Sequence, residues 1–176
     1  MISIFAPAKL NLFLAITGRR PDGFHELVSL VAKVDLGDTL HAEPAADFSL
    51  KCPGAVLPVD DSNLVLKAAR AFGGATGWTG GAKFVLEKRI PVGAGLGGGS
   101  SDAVAALLAL NRLADAKHRL TPERLADVAA EIGSDCPLFL PDGPVVMRGR
   151  GDRITTVPTG AALRLRVDFA EFAGGV

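Results

Sequence analysis

The chain has 176 residues, 48% of them hydrophobic, which suits one domain or one lobe of a two-lobed protein. Its 19 basic residues balance 19 acidic ones, so no net field recruits nucleic acid or anionic lipid. The two cysteines, Cys52 and Cys136, lack metal-ligand spacing and favour a reducing compartment over a disulfide.

The N-terminal segment predicts two strands, Ile2–Ala6 and Leu10–Thr17. Leucines alternate with polar and small residues in the second, so period two places Lys9 and Asn11 together on the face opposite the leucines. A signal peptide has its charge before the apolar run, whereas Lys9 lies inside it, and no stretch reaches the roughly 20 apolar residues of a membrane span. We therefore expect a cytoplasmic protein without a membrane partner.

Strands and one helix are predicted for the next 70 residues. Asp61 or Ser62 is the expected helix cap, and the glycine-rich stretch 73–81 is expected to end that helix. In chain order, the predicted elements are strands His25–Val34, Thr39–Ala42 and Phe48–Cys52, a helix over Asn63–Phe72, and a strand over Ala82–Lys88.

The second half predicts two helices followed by two strands. Apolar spacing indicates a helix from about Ser101 to Ala114. Thr121-Pro122-Glu123 is typical of a helix start, and Gly133 of a helix end. Strands Pro144–Arg148 and Arg153–Val157 follow. Strands come first in the chain, and helices and strands are mixed later. This order predicts an α+β fold, with helices on one face of a mixed or mostly antiparallel sheet.

The strongest chemical signal is a glycine run between a predicted strand and a predicted helix. Five of the seven residues 93–99 are glycine, which frees the backbone for positive φ and close approach to a ligand. Unpaired amides before a helix form an anion site that the helix dipole reinforces. We expect Ser100 and Ser101 to cap the helix and donate to a phosphate or a metal-bound oxygen, and Asp102 to face away or to help hold a cation.

Three known phosphate loops fit this run less well. Gly93-x-Gly95-x-x-Gly98 matches the dinucleotide fingerprint, but the acidic residue about 20 positions on, Asp115, ends no predicted strand. A Walker loop needs a lysine after its last glycine, and Gly99 is followed by Ser100. No His-Arg-Asp or Asp-Phe-Gly motif of protein kinases occurs. The positive charge that offsets a bound phosphate must therefore come from another part of the chain.

Four stretches together resemble the GHMP kinase superfamily, which includes galactokinase, homoserine kinase, mevalonate kinase and phosphomevalonate kinase. They are Pro7–Leu14, Arg20–Leu27, Pro91–Ala103 and Gly133–Pro137, in the family's order and spacing. Within the superfamily the match is closest to the kinases of a cytidine diphosphate-linked polyol. The resemblance implies the N-terminal domain of that fold, of the ribosomal protein S5 domain 2-like type.

The resemblance implies a role for each matched residue. Asp135 resembles the catalytic base and Lys9 its partner at the substrate hydroxyl; Pro137 is expected to keep Cys136 extended beside that base. Asn11, Phe24 and His25 resemble the substrate-binding residues. At Phe24 the family usually has tyrosine. Asn63 is expected near the nucleotide. The residues that resemble the ATP-phosphate loop are Pro91, Val92, Gly93, Ala94, Gly95, Leu96, Gly97, Gly98, Gly99, Ser100 and Ser101.

The implied function is ATP-dependent phosphorylation of the 2-hydroxyl of that polyol in the non-mevalonate isoprenoid (terpenoid) route. Mg²⁺ is expected with the ATP, without readable protein ligands. Residues 1–160 are expected to form the ATP-binding domain and 161–176 to begin a truncated or absent C-terminal lobe. Two alternatives stay open within nucleotide binding: another GHMP kinase acting on homoserine or a sugar, and a non-catalytic nucleotide-binding lobe. A dinucleotide-dependent oxidoreductase is a third.

Overall fold

The computed structural model describes residues 1–19, 21, 23, 25–151 and 153–158. The predicted lobe boundary at 160/161 lies outside them. The strands and helices in chain order are β1 (Ile2–Arg19), β2 (His25–Ala45), β3 (Ser49–Lys51), α1 (Leu64–Thr76), β4 (Gly81–Glu87), α2 (Gly98–Leu113), α3 (Pro122–Ile132), β5 (Val145–Gly149) and β6 (Arg153–Thr156). Short 3-10 turns cover Ala116–His118 and Cys136–Phe139.

The sheet is built around β2. β1 pairs antiparallel with β2 along most of its length, while β4 and β5 pair with different halves of the other edge of β2. The strand order is β3-β4-β2-β5-β6, with β1 joined to β2. Among the described strands, β3 and β4 form the parallel pair, so the sheet is mixed. The predicted α+β fold with a mixed sheet is confirmed.

Two predicted strand breaks do not exist. The segments 2–6 and 10–17 join into β1, whose register shifts at Pro7/Lys9, Asn11/Phe13 and Ile16/Gly18. The segments 25–34 and 39–42 likewise join into β2. A bulge inserts one residue without ending the ladder, so an interruption in period-two patterning was wrongly interpreted as a loop.

Both helices that border glycines extend further than predicted. α1 continues through Gly73 and Gly74 to Thr76 and ends at Gly77, whose φ of 68° is left-handed. Its cap is Asn63, whose side chain accepts from the Val65 amide, rather than Asp61 or Ser62. α2 begins at Gly98 after the left-handed Gly97, so the expected serine cap at Ser100 or Ser101 was wrong.

The helices cover one face of the sheet, where alternate strand residues are buried. α2 packs on β1 and β2 and contacts both other helices. The opposite face carries polar side chains such as His41, Glu43 and Lys83. The largest fully buried core side chains come from α1, β4, β2 and α2: Phe72, Phe84, Leu40, Leu86, Leu107 and Leu110. α2 is therefore a central helix, and its first turn is held firmly in place.

No helix within the described ranges combines the length and hydropathy required to cross a lipid bilayer.

Cys52 and Cys136 are both free thiols, the first half-buried and the second buried. Burial raises the pKa of each thiol. This agrees with the expectation that the two cysteines form no disulfide.

The start of α3 yields a testable stability prediction. The Thr121 hydroxyl oxygen accepts a hydrogen bond from the Arg124 amide, and Pro122 occupies the first helical position, as predicted. Thr121→Ala leaves that amide without its cap and is expected to lower the free energy of unfolding by about 1 kcal/mol. Urea unfolding measures it. Thr121→Ser keeps the oxygen and should stay near the parent value; equal loss in both variants would contradict a capping role.

Candidate functional site

The loop that enters α2 has the backbone geometry of an anion site. Gly93, Gly95 and Gly97 take positive φ of 76°, 72° and 72°. Among the described residues, no backbone acceptor is found for the amides of Gly93, Gly95 and Gly97. No side chain caps α2 either, so the positive end of its dipole opens on the loop. The backbone therefore presents several unpaired donors to one volume of space.

A cavity of about 230 Å³ lies against this loop. Its walls are residues 91–99, the segment before α1, and the side chains of Lys88 and Asp102. Asn63 fixes the α1 wall, because its amide nitrogen donates to the Pro58 carbonyl at 2.7 Å while its oxygen caps the helix. The cavity thus joins an apolar wall, which includes Leu57 and Leu64, to a polar floor.

Lys9 lies directly beside the loop. Its backbone amide donates to the Leu96 carbonyl at 2.9 Å, which ties β1 to the loop. Its ammonium donates to Asn11 Oδ1 at 2.7 Å, so the two side chains share a face as predicted. Asn11 Nδ2 in turn donates to Ser29 Oγ at 2.9 Å, and Ser29, fully buried, donates to the Phe13 carbonyl. This chain of bonds fixes where the Lys9 charge sits.

Asp135 is half-buried and immediately precedes the 3-10 turn Cys136–Phe139. The expectation that Pro137 holds Cys136 extended was wrong: Asp135 is helical, and its carbonyl accepts from the Leu138 amide at 3.2 Å. A 3-10 turn accommodates a proline near its start, where no amide partner is needed.

Two contacts hold this turn against the rest of the site. The Ser100 side chain lies near the Cys136 thiol and opposes the rise in its pKa, so the first turn of α2 is close to the residue after Asp135. The Lys33 ammonium donates to the Phe139 and Pro141 carbonyls, which anchors the far end of the turn to β2. Burial lowers the pKa of Lys33, and nearby Asp142 partly offsets this.

Lys9 and the Asp135 turn meet at Gly97. A Cβ built on Gly97 would lie 2.9 Å from the Phe139 ring and 3.0 Å from Lys9 Cγ. Within the described part of the chain no ion pair joins Lys9 to Asp135, and the Lys9 ammonium donates to Asn11. The loop is therefore bordered by Lys9 on one side and by the turn that carries Asp135 on the other.

The other predicted site residues are placed less centrally. His25 is exposed and opens β2 opposite Arg19, at the far end of the β1–β2 ladder from Lys9. Phe24 lies outside the described residues. Ser101 is 1% exposed, and its hydroxyl has no partner among the described residues. It does not line the cavity.

The sequence interpretation missed Asp38 and Lys88. Lys88 donates to Asp38 Oδ2 and, at 2.8 Å, to Asp102 Oδ2. The cation that Asp102 was expected to help hold is therefore this lysine. The available signal was the position of Lys88, three residues before Pro91, in a chain whose loop lacks its own lysine. Nothing local indicated Asp38, which is 50 residues away in sequence.

Metal binding by protein side chains has no support in the described ranges, where no group of three or more His, Cys, Asp or Glu residues could hold an ion. Mg²⁺ that accompanies a nucleotide normally keeps several waters and is bound through the phosphates together with one or two carboxylates.

The fold and loop match a known class of protein. Residues 63–143 match the family model described as GHMP kinases N terminal domain. The crystal structure of 4-(cytidine 5'-diphospho)-2C-methyl-D-erythritol kinase superimposes with a TM-score of 0.77 at 41% identity, covering 89% of this chain and 55% of that one. The mevalonate kinase of Methanococcus jannaschii shares the fold, with a TM-score of 0.68 at 14% identity. The described part of the chain therefore has the fold of the N-terminal domain of the GHMP kinases, and residues 63–143 are similar to that family in sequence.

Similar curated proteins share one name, 4-diphosphocytidyl-2-C-methyl-D-erythritol kinase. The protein from Carboxydothermus hydrogenoformans is 44% identical over 155 residues, which cover 88% of this chain and 53% of the relative. The protein from Deinococcus radiodurans is 48% identical over 154 residues, covering 87% and 51%. The chain therefore spans about half the length of the curated relatives it matches.

Proposed function

We propose that this chain forms the ATP-binding half of a kinase that phosphorylates the 2-hydroxyl of 4-diphosphocytidyl-2-C-methyl-D-erythritol in cytoplasmic, non-mevalonate isoprenoid biosynthesis. The observation that carries the proposal is a loop of unpaired amides bordered by Lys9 on one side and the Asp135 turn on the other. The name shared by the relatives supports the choice of substrate.

The loop would bind the triphosphate of ATP. Amides of residues 93–99 and the start of α2 donate to phosphate oxygens, and the cavity between the loop and α1 takes the nucleoside. Asn63, which holds that wall, lies near the nucleoside. Mg²⁺ bound to the phosphates would offset part of the negative charge that develops during transfer.

Asp135 would act as the general base. It accepts the proton of the acceptor hydroxyl as the oxygen attacks the γ-phosphorus and the bond to the β-phosphate oxygen breaks. Lys9, oriented by Asn11, would stabilise the negative charge that develops on that hydroxyl oxygen and on the phosphoryl oxygens. The acceptor hydroxyl would enter between these two side chains.

The acceptor's nucleotide end would lie along the β1–β2 ladder. Asn11 is beside Lys9, and His25 is at the distal end of the ladder, so an elongated molecule could contact both. Phe24, next to His25, would stack on the cytosine ring through its aromatic face. The phenol hydroxyl that tyrosine supplies in the family would be missing from that contact.

The proposal is tested by incubating the chain with MgATP and the cytidine diphosphate-linked polyol and following the product by ³¹P NMR. If the coding sequence continues past codon 176, the extended protein is assayed in parallel. We expect a new phosphomonoester with this acceptor and none with homoserine or galactose. Turnover of homoserine or a sugar alone would assign another GHMP kinase. ATP binding without turnover in both proteins would assign a non-catalytic lobe, and preference for NAD over ATP would exclude a kinase.

A further inference from the structure

A buried cluster of charges lies next to the glycine loop and has no part in the transfer chemistry above. The cluster consists of Asp38, Lys88 and Asp102. The Lys88 side chain is 8% exposed and lies between the two carboxylates, which are 0% and 4% exposed. With one ammonium and two ionised carboxylates, its net charge is one negative. Burying such a set in the core is costly, so its retention calls for a role.

The cluster joins the two ends of the loop. Asp38 Oδ1 accepts from the amides of Arg89 and Ile90, which lead into the loop, while Lys88 binds Asp102 in the early part of α2. A Cβ on Gly98 would lie 3.3 Å from Lys88 Nζ. Lys88 and Asp102 also line the same cavity as the glycines. The strand end and the helix start are therefore fastened together through one ammonium group.

Only one of the two carboxylate oxygens of Asp102 has a hydrogen-bond partner among the described residues. Its Oδ2 accepts from Lys88, but its Oδ1 is buried and has no partner among the described residues. Burial raises the pKa of the Asp102 carboxyl to about 7, although Lys88 opposes the shift. Burial alone would lower the pKa of Lys88, but its bonds to Asp102 and Asp38 outweigh this and raise it. Lys88 therefore stays charged while Asp102 titrates near neutrality.

Few other titratable groups among the described residues surround Asp102. Those that face it are Asp38 from β2, Lys88 after β4 and the Cys52 thiol after β3. α1 meets this turn of α2 with the apolar Leu64, which faces Gly99. Lys9 of β1 and Cys136 of the 3-10 turn contact α2 elsewhere, at Gly97 and Ser100.

We propose that the Asp38–Lys88–Asp102 cluster positions the phosphate loop, and that Asp102 takes up a proton from solvent when a polyphosphate occupies that loop. This rests on the proposed function, because it requires phosphate binding at the loop. The cluster already has a net charge of minus one. The negative charge of a bound phosphate therefore raises the free energy of the ionised form of Asp102 and favours its protonation. The added proton resides on the Asp102 carboxyl and leaves a neutral pair of Lys88 with Asp38. Asp38, Lys88 and Asp102 are positioning residues and touch no reacting atom.

Proton uptake is measured by calorimetric titration of the chain with ADP at pH 7 in two buffers of different ionisation enthalpy. Because Asp102 is about half ionised at that pH, we expect an uptake of up to about 0.5 proton beyond that of the nucleotide itself. The Asp102→Asn variant should lose this additional proton uptake. The Asp127→Asn variant, which removes an exposed carboxylate of α3, should keep it. Equal uptake in the parent chain and in folded Asp102→Asn would overturn the proposal.

A second measurement needs no variant. The ¹³C shift of the Asp102 carboxyl is titrated in the parent chain with and without ADP, and its midpoint should move upward with ADP. An unchanged midpoint in a chain that binds ADP overturns the proposal even if Asp102→Asn does not fold. A parent chain that binds neither ADP nor ATP instead refutes the proposed function.

A separate experiment tests whether Lys88 positions the phosphate loop. Lys88→Met is expected to weaken ADP binding by about tenfold, since both ends of the loop lose their shared donor. Lys67→Met, on the exposed side of α1, is the control and should bind like the parent chain. If folded Lys88→Met binds ADP within about twofold of the parent, the loop does not depend on the cluster.

Discussion

Asp135→Asn is expected to lower kcat for phosphoryl transfer by about 10²- to 10⁴-fold, the usual contribution of a general base. Asparagine has nearly the same shape as aspartate, so the 3-10 turn and the contacts at Gly97 should persist. It cannot accept the hydroxyl proton, however. KM for ATP should therefore change little, because the amides of residues 93–99 are untouched.

The measurement is steady-state kinetics with the cytidine diphosphate-linked polyol, using the chain or its natural continuation. Glu131→Gln is the matched control, since it removes an exposed carboxylate four residues before Asp135 and should leave kcat unchanged. A kcat for Asp135→Asn within about threefold of the parent would remove Asp135 from the chemistry. The acceptor hydroxyl would then lose its proton to solvent or to phosphate.

Gly97→Ala is expected to weaken ATP binding by about tenfold or more and to destabilise the fold. The residue has a φ of 72°, and an added Cβ would lie 2.9 Å from the Phe139 ring and 3.0 Å from Lys9 Cγ. Relief of those contacts must move the Phe139 ring, the Lys9 side chain or the loop itself. Each movement disturbs the volume into which the amides point.

Gly77→Ala separates the clash from the cost of positive φ. Gly77 has a φ of 68° with nothing within 4 Å of an added Cβ, and it lies at the opposite end of α1 from the cavity. We expect this control to lose about 1 kcal/mol in urea unfolding and to bind ATP like the parent chain. Comparable ATP affinities for Gly97→Ala and Gly77→Ala would contradict close packing at Gly97.

Much of the fold could be predicted because its signals are local. Thr121-Pro122 and Gly133 bound α3 correctly, since capping and φ restriction act within a few residues. The glycine run also indicated where a phosphate loop meets a helix, because its backbone freedom is a property of those residues alone. Period two correctly placed Lys9 and Asn11 on one face.

Other features depend on contacts that are distant in sequence. The merging of strand segments into β1 and β2 follows from bulges, which break period two without breaking the ladder. α1 extends through Gly73 and Gly74 because the buried face that includes Phe72 outweighs the low helix propensity of glycine. The Asp38–Lys88–Asp102 cluster joins residues 50 and 14 positions apart, so only the tertiary fold reveals it.

A ¹H–¹⁵N NMR titration of the backbone amides with ATP tests the phosphate loop most directly. We expect the amides of Gly93, Gly95 and Gly97–Ser100 to shift the most, since they are the unpaired donors at the loop. The amides of α3 and β6 should barely move. Saturable ATP binding that shifts amides elsewhere and leaves those of residues 93–100 unchanged would contradict the phosphate loop, and the kinase proposal with it.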